Sequence, residues 1–360
     1  MDFGLSEDQK LLEETARGFL ADRVSIDTVR ALRDEAVWND RALWQEFAGL
    51  GLAGILVPEA QGGAGLALLD AALVAQAIGH ATAPMPFLSS GVMVPVALRG
   101  CGGPAAEGWL AGLASGEIFF GLAVTELWSK REAAHVRLDG GKLSGKAMMA
   151  WDAMSADFVL VALDDATLAV VRGDAAGLEK ERLITIDRTR CSSELVFTDV
   201  EAEAVFENSE EAIAAMLRAG RIALAADSLG ACEAMLAQAV AYSLERKQFN
   251  RVIGSFQSVK HMCAEMVAEL EPARSLVWYA AHCFDAIPDE APLMACHVLA
   301  HLSEIGTEIA SVSTQVHGGT GWTDEQNLHF WFKRLGVGRH LLGGPEYLRA
   351  KAAEIQGLAA

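Results

Sequence analysis

The stretch FFGLAVTE, residues 119–126, marks a change in the pattern of the chain. Apolar residues recur at helical spacing before it, and from about Glu117 short β-rich runs alternate with Gly/Asp turns. After roughly Glu207 the helical spacing returns and persists to the last residues. The pattern predicts an α+β multidomain chain with an N-terminal α-helical domain over residues 1–116, a middle β-domain (barrel or sandwich) over 117–206, and a C-terminal helical bundle over 207–360.

The composition limits the possible partners. With 29 Lys+Arg against 48 Asp+Glu the formal net charge is -19, which opposes binding to nucleic acid and to anionic membrane surfaces. No apolar run reaches the roughly 18 residues that span a bilayer, so we expect no membrane insertion. The N-terminal residues are acidic and amphipathic, unlike a signal or transit peptide, and the six cysteines form no CxxC pair. These features predict a cytoplasmic protein without a zinc site or a disulfide framework.

The N-terminal segment predicts an amphipathic helix. Ser6, followed three residues later by Gln9, is a candidate helix cap. The apolar stripe expected on the buried face of this helix comprises Leu11, Leu12, Thr15, Phe19 and Leu20.

Two motifs that suggest other functions are incomplete. GGKLSGK, residues 140–146, has the spacing of a phosphate-binding loop, but Ala147 follows it and the segment reads as a β-hairpin. His297 and His301 lie four residues apart as in a zinc helix, but Val298 stands where the glutamate base would be. The sequence also contains no Gly-x-Ser-x-Gly elbow, and no GxGxxG follows a predicted strand. A nucleotide, metal or serine-hydrolase site is therefore not expected.

Seven stretches, in order along essentially the whole chain, resemble the acyl-CoA dehydrogenase family. They are MDFGLSEDQ (1–9), LGLAGILVPEAQGGAGL (50–66), AVTE (123–126), SADFVLVAL (155–163), DRTR with LVFTDV (187–200), ERKQFNRVIGSFQ (245–257) and QVHGGTGWTDE (315–325). The resemblance implies a helical domain, a β-domain and a C-terminal four-helix bundle in that order. It also implies a flavin-dependent oxidoreductase that acts on CH–CH bonds of CoA thioesters, with FAD at a subunit interface.

The basic cluster RKQFNRVIGSFQ, residues 246–257, places three cations beside two phenylalanines in an otherwise acidic chain. In the family that the chain resembles, one subunit holds the flavin ring, and its neighbour covers the diphosphate and adenosine. A guanidinium such as that of Arg246 can donate two hydrogen bonds to diphosphate oxygens. The alternative is that Arg246 and Lys247 are a solvated helix C-terminus that interacts with the helix dipole. We name the predicted FAD-covering residues the diphosphate clamp: Arg246, Phe249, Phe256, Gln257, Gln315, Gly318 and Gly319.

The residues that the resemblance places beside the flavin ring depart from the family pattern. After Thr125 and Glu126 the family usually has a Pro-Gly-x-Gly-Ser-type turn, but here the chain has Leu127, Trp128, Ser129, Lys130 and Arg131. The family's Trp-Ile-Thr segment, which lies beside the ring, aligns with Met148, Met149 and Ala150. Thr125 can still contact the pyrimidine edge of a flavin, and Trp151 can move into the vacated place. The resemblance therefore implies that this chain has no working ring site of its own.

The catalytic carboxylate of the family is also missing. Dehydrogenation requires a base for the proton next to the thioester, and a carboxylate in a dry site suits this role. The two positions at which the family places this glutamate align with Leu342 and Gly220, and neither side chain can accept a proton. Glu346 is the nearest substitute, either as a displaced base or as an ordinary acidic residue at a helix start beside Pro345.

Family members that lack both glutamates but keep the clamp resemble the non-catalytic subunits of heteromeric α2β2 acyl-CoA dehydrogenases of bacterial steroid side-chain degradation. This implies a catalytic acyl-CoA dehydrogenase partner, shared FAD, a bulky CoA thioester such as a steroid-derived one, and an electron-transferring flavoprotein as acceptor. Two alternatives remain open. The first is a flavin-dependent monooxygenase on the same fold, which needs no glutamate base, and the second is a scaffold that only stabilises its partner.

Overall fold

The computed structural model describes residues 4–35, 39–129, 131 and 134–358. These residues form two compact units. Unit 1 holds the described residues of Met1–Ala31, Ala72–Ala83 and Arg221–Ala360, and unit 2 holds those of Leu32–Ala71 and Pro84–Gly220. Among the described residues, no helix is both long enough and apolar enough to cross a membrane.

Helices dominate the chain up to residue 115. They are α1 (Glu7–Arg23), α2 (Ile26–Glu35), α3 (Arg41–Gly49), α4 (Leu68–Ala81), a π-helix over Phe87–Met93, α5 (Val94–Cys101) and α6 (Pro104–Ser115). The predicted cap of α1 is confirmed, because the Ser6 hydroxyl accepts a hydrogen bond from the Gln9 backbone N–H and the Gln9 side chain accepts one from the Ser6 backbone N–H. The apolar stripe is only partly correct, since Leu20 is buried whereas Leu11 and Thr15 are exposed.

The middle of the chain forms one mixed sheet of eight strands within unit 2. The strands are β1 (Phe120–Ala123), β2 (His135–Asp139), β3 (Lys142–Trp151), β4 (Phe158–Ala162), β5 (Leu168–Arg172), β6 (Leu178–Leu183), β7 (Ser192–Glu201) and β8 (Ala204–Phe206). Their order is β6-β7-β3-β1-β4-β5-β8, with β2 paired to β3; β1 and β4 are parallel and the other pairs are antiparallel. The predicted fold class is thus confirmed, and the β-domain takes the form of a mixed sheet.

The hairpin between β2 and β3 explains the incomplete phosphate-loop motif. Gly140 and Gly141 have φ values of +54° and +81° at its turn, a conformation that glycine adopts without steric cost. Lys142 and the residues after it pair with β2 from Asp139 to His135. The motif is therefore a hairpin, as predicted, rather than a loop between a strand and a helix.

Helices return at Glu210. They are α7 (Glu210–Glu245), α8 (Gln257–Ala286), α9 (Ala291–His317), α10 (His329–Gly338) and α11 (Gly344–Ile355), with two short strands, β9 (Lys247–Gln248) and β10 (Arg251–Val252), between α7 and α8. Within unit 1, α4 and α7 approach closely, because a Cβ atom at Gly79 would overlap the Asp227 carbonyl and one at Gly230 would overlap the Gln76 carbonyl. The buried Arg334 of α10 donates to the Asp227 carboxylate at 2.6 Å and fixes α10 against α7.

Candidate functional site

The basic cluster folds as a small hairpin rather than as the last turn of a helix. Helix α7 ends at Glu245, and strands β9 and β10 pair through Gln248 with Arg251 and Lys247 with Val252. Phe249 and Asn250 form the two-residue turn with φ values of +51° and +60°, as a hairpin turn of this length requires. The hairpin therefore holds its cations on a defined backbone and outside the helix.

The hairpin exposes both charge and aromatic surface. Arg246, Lys247 and Arg251 are exposed, and Phe249 is 87% exposed. The half-buried Phe256 contacts the edge of Phe249 with ring centroids 6.1 Å apart, and the Arg251 guanidinium lies 3.9 Å from the centroid of the Phe256 ring. Gln257 begins α8, and its amide nitrogen is 3.5 Å from His261 Nε2. Arg246 is thus an available guanidinium, whereas Arg251 is engaged with an aromatic face.

The second half of the clamp lies at the C-terminal end of α9. Gln315, Gly318 and Gly319 are exposed, and Gly318 has a φ of +63° where the helix ends. A Cβ atom added at either glycine would meet nothing within 4 Å, so the backbone there is open to a ligand. The end of α9 therefore offers an unobstructed backbone surface beside an exposed amide.

Two side chains join the end of α7 to the end of α9. The Tyr242 ring stacks on the His317 ring with centroids 4.6 Å apart, and the Tyr242 hydroxyl is 3.3 Å from the Thr320 hydroxyl. His317 donates from Nδ1 to the Ser313 carbonyl at 2.8 Å, and burial lowers the pKa of His317. A neutral His317 with a protonated Nδ1 has its Nε2 lone pair left as an acceptor. Neither Tyr242 nor His317 was predicted, although Tyr242 lies one helical turn before Arg246 and His317 lies within QVHGG.

Two clefts in unit 1 contain clamp residues. The first, which we call the Arg246 cleft, has a volume of about 420 Å³ and is lined by Gln238, Ala241, Tyr242, Glu245, Arg246, His317 and Gln326. The second, the Gln315 cleft, has a volume of about 310 Å³ and is lined by Thr307, Ala310, Ser311, Thr314, Gln315, Gly318, Trp322, Phe332, Leu335 and Gly336. The structure thus brings Arg246 to the end of α9, but Phe249, Phe256 and Gln257 line neither of these two clefts.

The residues predicted to lie beside a flavin ring are in unit 2, where they bind each other. Thr125 is buried, and its hydroxyl donates to the Met149 carbonyl at 3.2 Å. The Glu126 carboxylate accepts from the Met148 backbone N–H at 2.9 Å, and burial raises the pKa of Glu126 against the effect of this bond. Met149 has a φ of +55°, within a bulge of β3 where its register with β7 shifts between Ala147 and Ala150. Lys130, which was also singled out, lies outside the described residues.

Two tryptophans close the same region. Trp128, at a position where the family has small turn residues, packs against Trp151 with ring centroids 6.1 Å apart. Trp151 is 6% exposed, and its indole N–H has no hydrogen-bond partner among the described residues. The space beside Thr125 is therefore bordered by an aromatic pair rather than by a turn that admits a phosphate or a flavin ring.

Gly220, the first of the two predicted base positions, adjoins a buried methionine of the same unit. A Cβ atom at Gly220 would lie 2.6 Å from Met93 Sδ, 2.9 Å from its Cγ and 3.0 Å from its Cε. Met93 is fully buried at the end of the π-helix. No side chain larger than that of glycine fits at residue 220 unless Met93 moves.

Leu342, the second base position, is fully buried and has a φ of +56°, which is unusual for a branched residue. Its carbonyl accepts a hydrogen bond from Nε of the buried Arg221 at 3.2 Å. Glu346 is exposed in the first turn of α11, 3.6 Å from Arg339, where its charge matches the helix dipole. The geometry at Glu346 is that of a solvated acid at a helix start.

Comparison with known proteins identifies the family. Residues 6–117 match the model of the acyl-CoA dehydrogenase N-terminal domain, and residues 211–356 match that of the C-terminal domain. The two models together match more than half of the chain. The chain belongs to the acyl-CoA dehydrogenase family, whose members are flavin-dependent oxidoreductases acting on CH–CH bonds.

Relatives match along nearly the full length. Acyl-CoA dehydrogenase IpdE2 of Mycobacterium tuberculosis is 29% identical over 97% of this chain and 98% of its own length. The solved structure of the steroid acyl-CoA dehydrogenase Tcur3481-Tcur3483 (G363A variant) is 28% identical with a TM-score of 0.86, covering 98% of both chains. The ChsE4-ChsE5 complex of Mycobacterium tuberculosis has the same fold, with a TM-score of 0.90 at 24% identity and full coverage of both chains.

Proposed function

We propose that this chain is the non-catalytic subunit of a heteromeric acyl-CoA dehydrogenase and completes the FAD site of a catalytic partner. The observation that carries the proposal is Met93 in the space beside Gly220. Without a carboxylate at Gly220 or Leu342, the chain has no group at either family position to remove the proton next to the thioester. The partner subunit then supplies the glutamate and the flavin ring site.

The two halves of the expected flavin site differ in how well they fit the cofactor. The clamp half fits a diphosphate, because Arg246 is exposed beside a cleft of about 420 Å³ and the backbone at Gly318 and Gly319 is open. The ring half does not fit, because the Thr125 hydroxyl is bound to Met149 and Trp128 packs on Trp151. These observations support a chain that covers a flavin seated in another subunit.

In the proposed complex, FAD would be held mainly by the partner and would supply the hydride acceptor for the dehydrogenation. Arg246 donates to the diphosphate, and the neutral His317 and the amide of Gln315 can bond to uncharged parts of the cofactor. The exposed glycines let the backbone approach the cofactor closely. This chain therefore contributes to cofactor retention and orientation, and the proton transfer belongs to the partner.

The proposed substrate is a bulky CoA thioester such as a steroid-derived one, and the proposed assembly is α2β2. Support comes from the steroid acyl-CoA dehydrogenase Tcur3481-Tcur3483 and from the ChsE4-ChsE5 complex, each of which is named for two different proteins. An electron-transferring flavoprotein is the proposed acceptor.

Expression with and without the neighbouring acyl-CoA dehydrogenase gene product tests the proposal. Alone, the chain should carry little FAD and oxidise no acyl-CoA, whereas the co-purified complex should be yellow and reduce an acceptor dye with a bulky acyl-CoA. A yellow homomer that oxidises butyryl-CoA contradicts the proposal, and Glu346→Gln is then the first variant to make. Oxygen consumption by this chain with supplied reduced flavin would indicate a monooxygenase instead. If the partner retains FAD equally well without this chain, the chain is a scaffold.

A further inference from the structure

A third cleft lies in unit 1, formed by other residues than the diphosphate clamp. It has a volume of about 420 Å³ and lies between α1, α4 and α10. None of its residues belongs to the family motifs or to the two clefts described above. The lining residues are Arg17, Leu20, Ala21, Val24, Ser25, Ile26, Ala77, His80, Ala81 and Trp331.

The walls of this cleft are apolar and fixed. Leu20, Val24 and Ala77 are each less than 5% exposed, so they belong to the packed interior of the unit. The Trp331 indole donates from Nε1 to the His80 carbonyl at 2.9 Å, which holds the ring in one orientation. A cavity with such walls binds the apolar body of a ligand without first having to rearrange.

The polar side chains among the lining residues are Arg17, His80 and Ser25, and the Ser25 hydroxyl already bonds to Thr28. Arg17 donates from Nε to Glu13 at 2.8 Å and from Nη2 to Glu233 at 3.0 Å, while its Nη1 has no hydrogen-bond partner in the part of the chain that the structure describes. The His80 ring likewise has no hydrogen bond to any described residue. Burial, and next the charge of Arg17, lower the pKa of His80, so the imidazole is neutral at pH 7. The cleft therefore offers a ligand the N–H groups of Arg17 Nη1 and of the His80 ring as hydrogen-bond donors. The other nitrogen of the neutral His80 ring is an acceptor.

The surrounding charges decide what the donors can bind. Glu13 and Glu233 offset the charge of Arg17, and Glu233 also pairs with Arg274 and accepts from the Gln76 amide at 2.7 Å. A carboxylate ligand would therefore approach two carboxylates already in place, whereas an uncharged oxygen meets only the unused N–H groups. Such an oxygen is favoured over a purely apolar ligand because it gains a hydrogen bond from Arg17 or His80, which are both half-buried in the cleft.

We propose that the cleft between α1, α4 and α10 is a binding site for a small uncharged molecule with an apolar body and a carbonyl or hydroxyl oxygen. The oxygen accepts from Arg17 Nη1 or bonds to the His80 ring, and the body packs against Leu20, Val24 and Trp331. This site is independent of the proposed role in FAD binding, because it uses other residues and needs no cofactor.

Calorimetric titration of the full chain with 2-decalone, a bicyclic ketone, tests the site. Saturable binding is expected, together with a change in tryptophan emission that disappears in Trp331→Phe. His80→Phe and Arg17→Met should each weaken binding about 2- to 10-fold, the effect of one lost hydrogen bond. Ala77→Leu and Ala81→Leu, which fill the cleft, should weaken it more than 10-fold, roughly 1.4 kcal/mol or more. Ser311→Leu, which fills the Gln315 cleft, is the matched control and should leave binding unchanged.

Decalin-2-carboxylate, with the same body and a charged head, should bind several-fold more weakly than the ketone. Tighter binding of this carboxylate would identify an anion site and overturn the proposal. Absence of saturable 2-decalone binding, or binding that persists in both Ala77→Leu and Ala81→Leu, would overturn it as well. Circular dichroism of each variant separates a filled cleft from a misfolded chain, and Ala81→Leu serves if Ala77→Leu fails to fold.

Discussion

At Gly220, the Met93 sulfur fills the space that a side chain would take. A glutamate there needs Met93 to move or to be replaced by a smaller residue, because a Cβ atom would lie 2.6 Å from its Sδ. At Leu342 the obstacle is different, since a branched residue is held at a positive φ while its carbonyl is bound by Arg221. The two predicted base positions thus differ: packing against Met93 restricts residue 220, and a fixed backbone restricts residue 342.

Gly220→Ala should destabilise the chain by about 1–3 kcal/mol, since one added methyl overpacks the contact with Met93. Gly108→Ala is the matched control: it lies within α6 of the same unit, and its Cβ atom would meet nothing within 4 Å. That change should stabilise by about 0.5–1 kcal/mol through the greater helix propensity of alanine. Denaturant melts measure both.

A Met93→Ala background decides whether the sulfur is the cause of the effect at Gly220. In that background Gly220→Ala should cost much less, and the double-mutant cycle should give a coupling energy above about 0.5 kcal/mol. Additive effects of the two substitutions would show that Met93 yields easily and that residue 220 is free to carry a side chain.

Arg246→Ala should weaken FAD retention in the complex although the residue lies outside the catalytic partner. Loss of a charge-assisted bond to a diphosphate corresponds to about 1.5–3 kcal/mol, or roughly ten- to a hundredfold in affinity. Lys247→Ala, one residue along the same hairpin and equally exposed, should change affinity little. Fluorescence of the flavin released during dialysis measures FAD retention in both variants. Equal FAD retention by the two variants would indicate that the cluster is a solvated surface and does not bind the cofactor.

At the scale of helices and strands, the periodicity of apolar residues predicted more of the structure than individual residues did. The α-β-α order, the cap at Ser6 and the hairpin at Gly140 follow from local rules of spacing, capping and turn chemistry. The π-helix over Phe87–Met93 was not predicted, because nothing in local propensity distinguishes one π-turn from an α-helix. The hairpin after Glu245 was missed because its turn is formed by Phe249 and Asn250, which have positive φ values but are not one of the Gly-containing pairs that signal such a turn.

The same limit applies to the candidate site. Arg246, Gln315 and Gly318 could be selected from motifs, because their chemistry suits a diphosphate whatever their neighbours are. The partners Tyr242 and His317 could not, since a tyrosine and a histidine 75 residues apart show no common pattern before the helix ends are brought together. Leu11 was placed in the apolar stripe of α1, but it is exposed. Periodicity alone does not show which apolar residues of a helix pack against another element.

Asp227→Asn should destabilise unit 1 by about 3–5 kcal/mol. Arg334 is buried against Asp227 with a shortest N–O distance of 2.6 Å, and removing one charge leaves the other buried without its counterion. Asp174→Asn removes a carboxylate from the exposed pair with Arg172 and is the control, with an expected change below about 1 kcal/mol. Urea unfolding at pH 7 measures both. A similar small effect of the two substitutions would show that the Asp227–Arg334 pair does not hold α10 to α7.

For the whole molecule, the division into two units separates the two parts of the expected flavin site. Every residue of the diphosphate clamp belongs to unit 1, whereas Thr125, Trp128, Met149 and Trp151 belong to unit 2. The proposed role uses this division, because the residues proposed to cover the partner's flavin and those proposed to have lost the ring site belong to different units.

The separation of these residues predicts how many FAD molecules the proposed assembly binds. A tetramer of two such chains and two catalytic partners should bind two FAD and not four, because this chain covers the partner's flavin and has no ring site of its own. The partner should then carry a glutamate at one of the two family base positions and a small Gly/Ser-containing turn after its own Thr-Glu. Flavin absorbance against protein mass, on complex separated by size with light scattering, gives the ratio directly. Four FAD per tetramer, or a homotetramer of this chain with FAD at full occupancy, would show that Trp128 and Trp151 move aside for a ring.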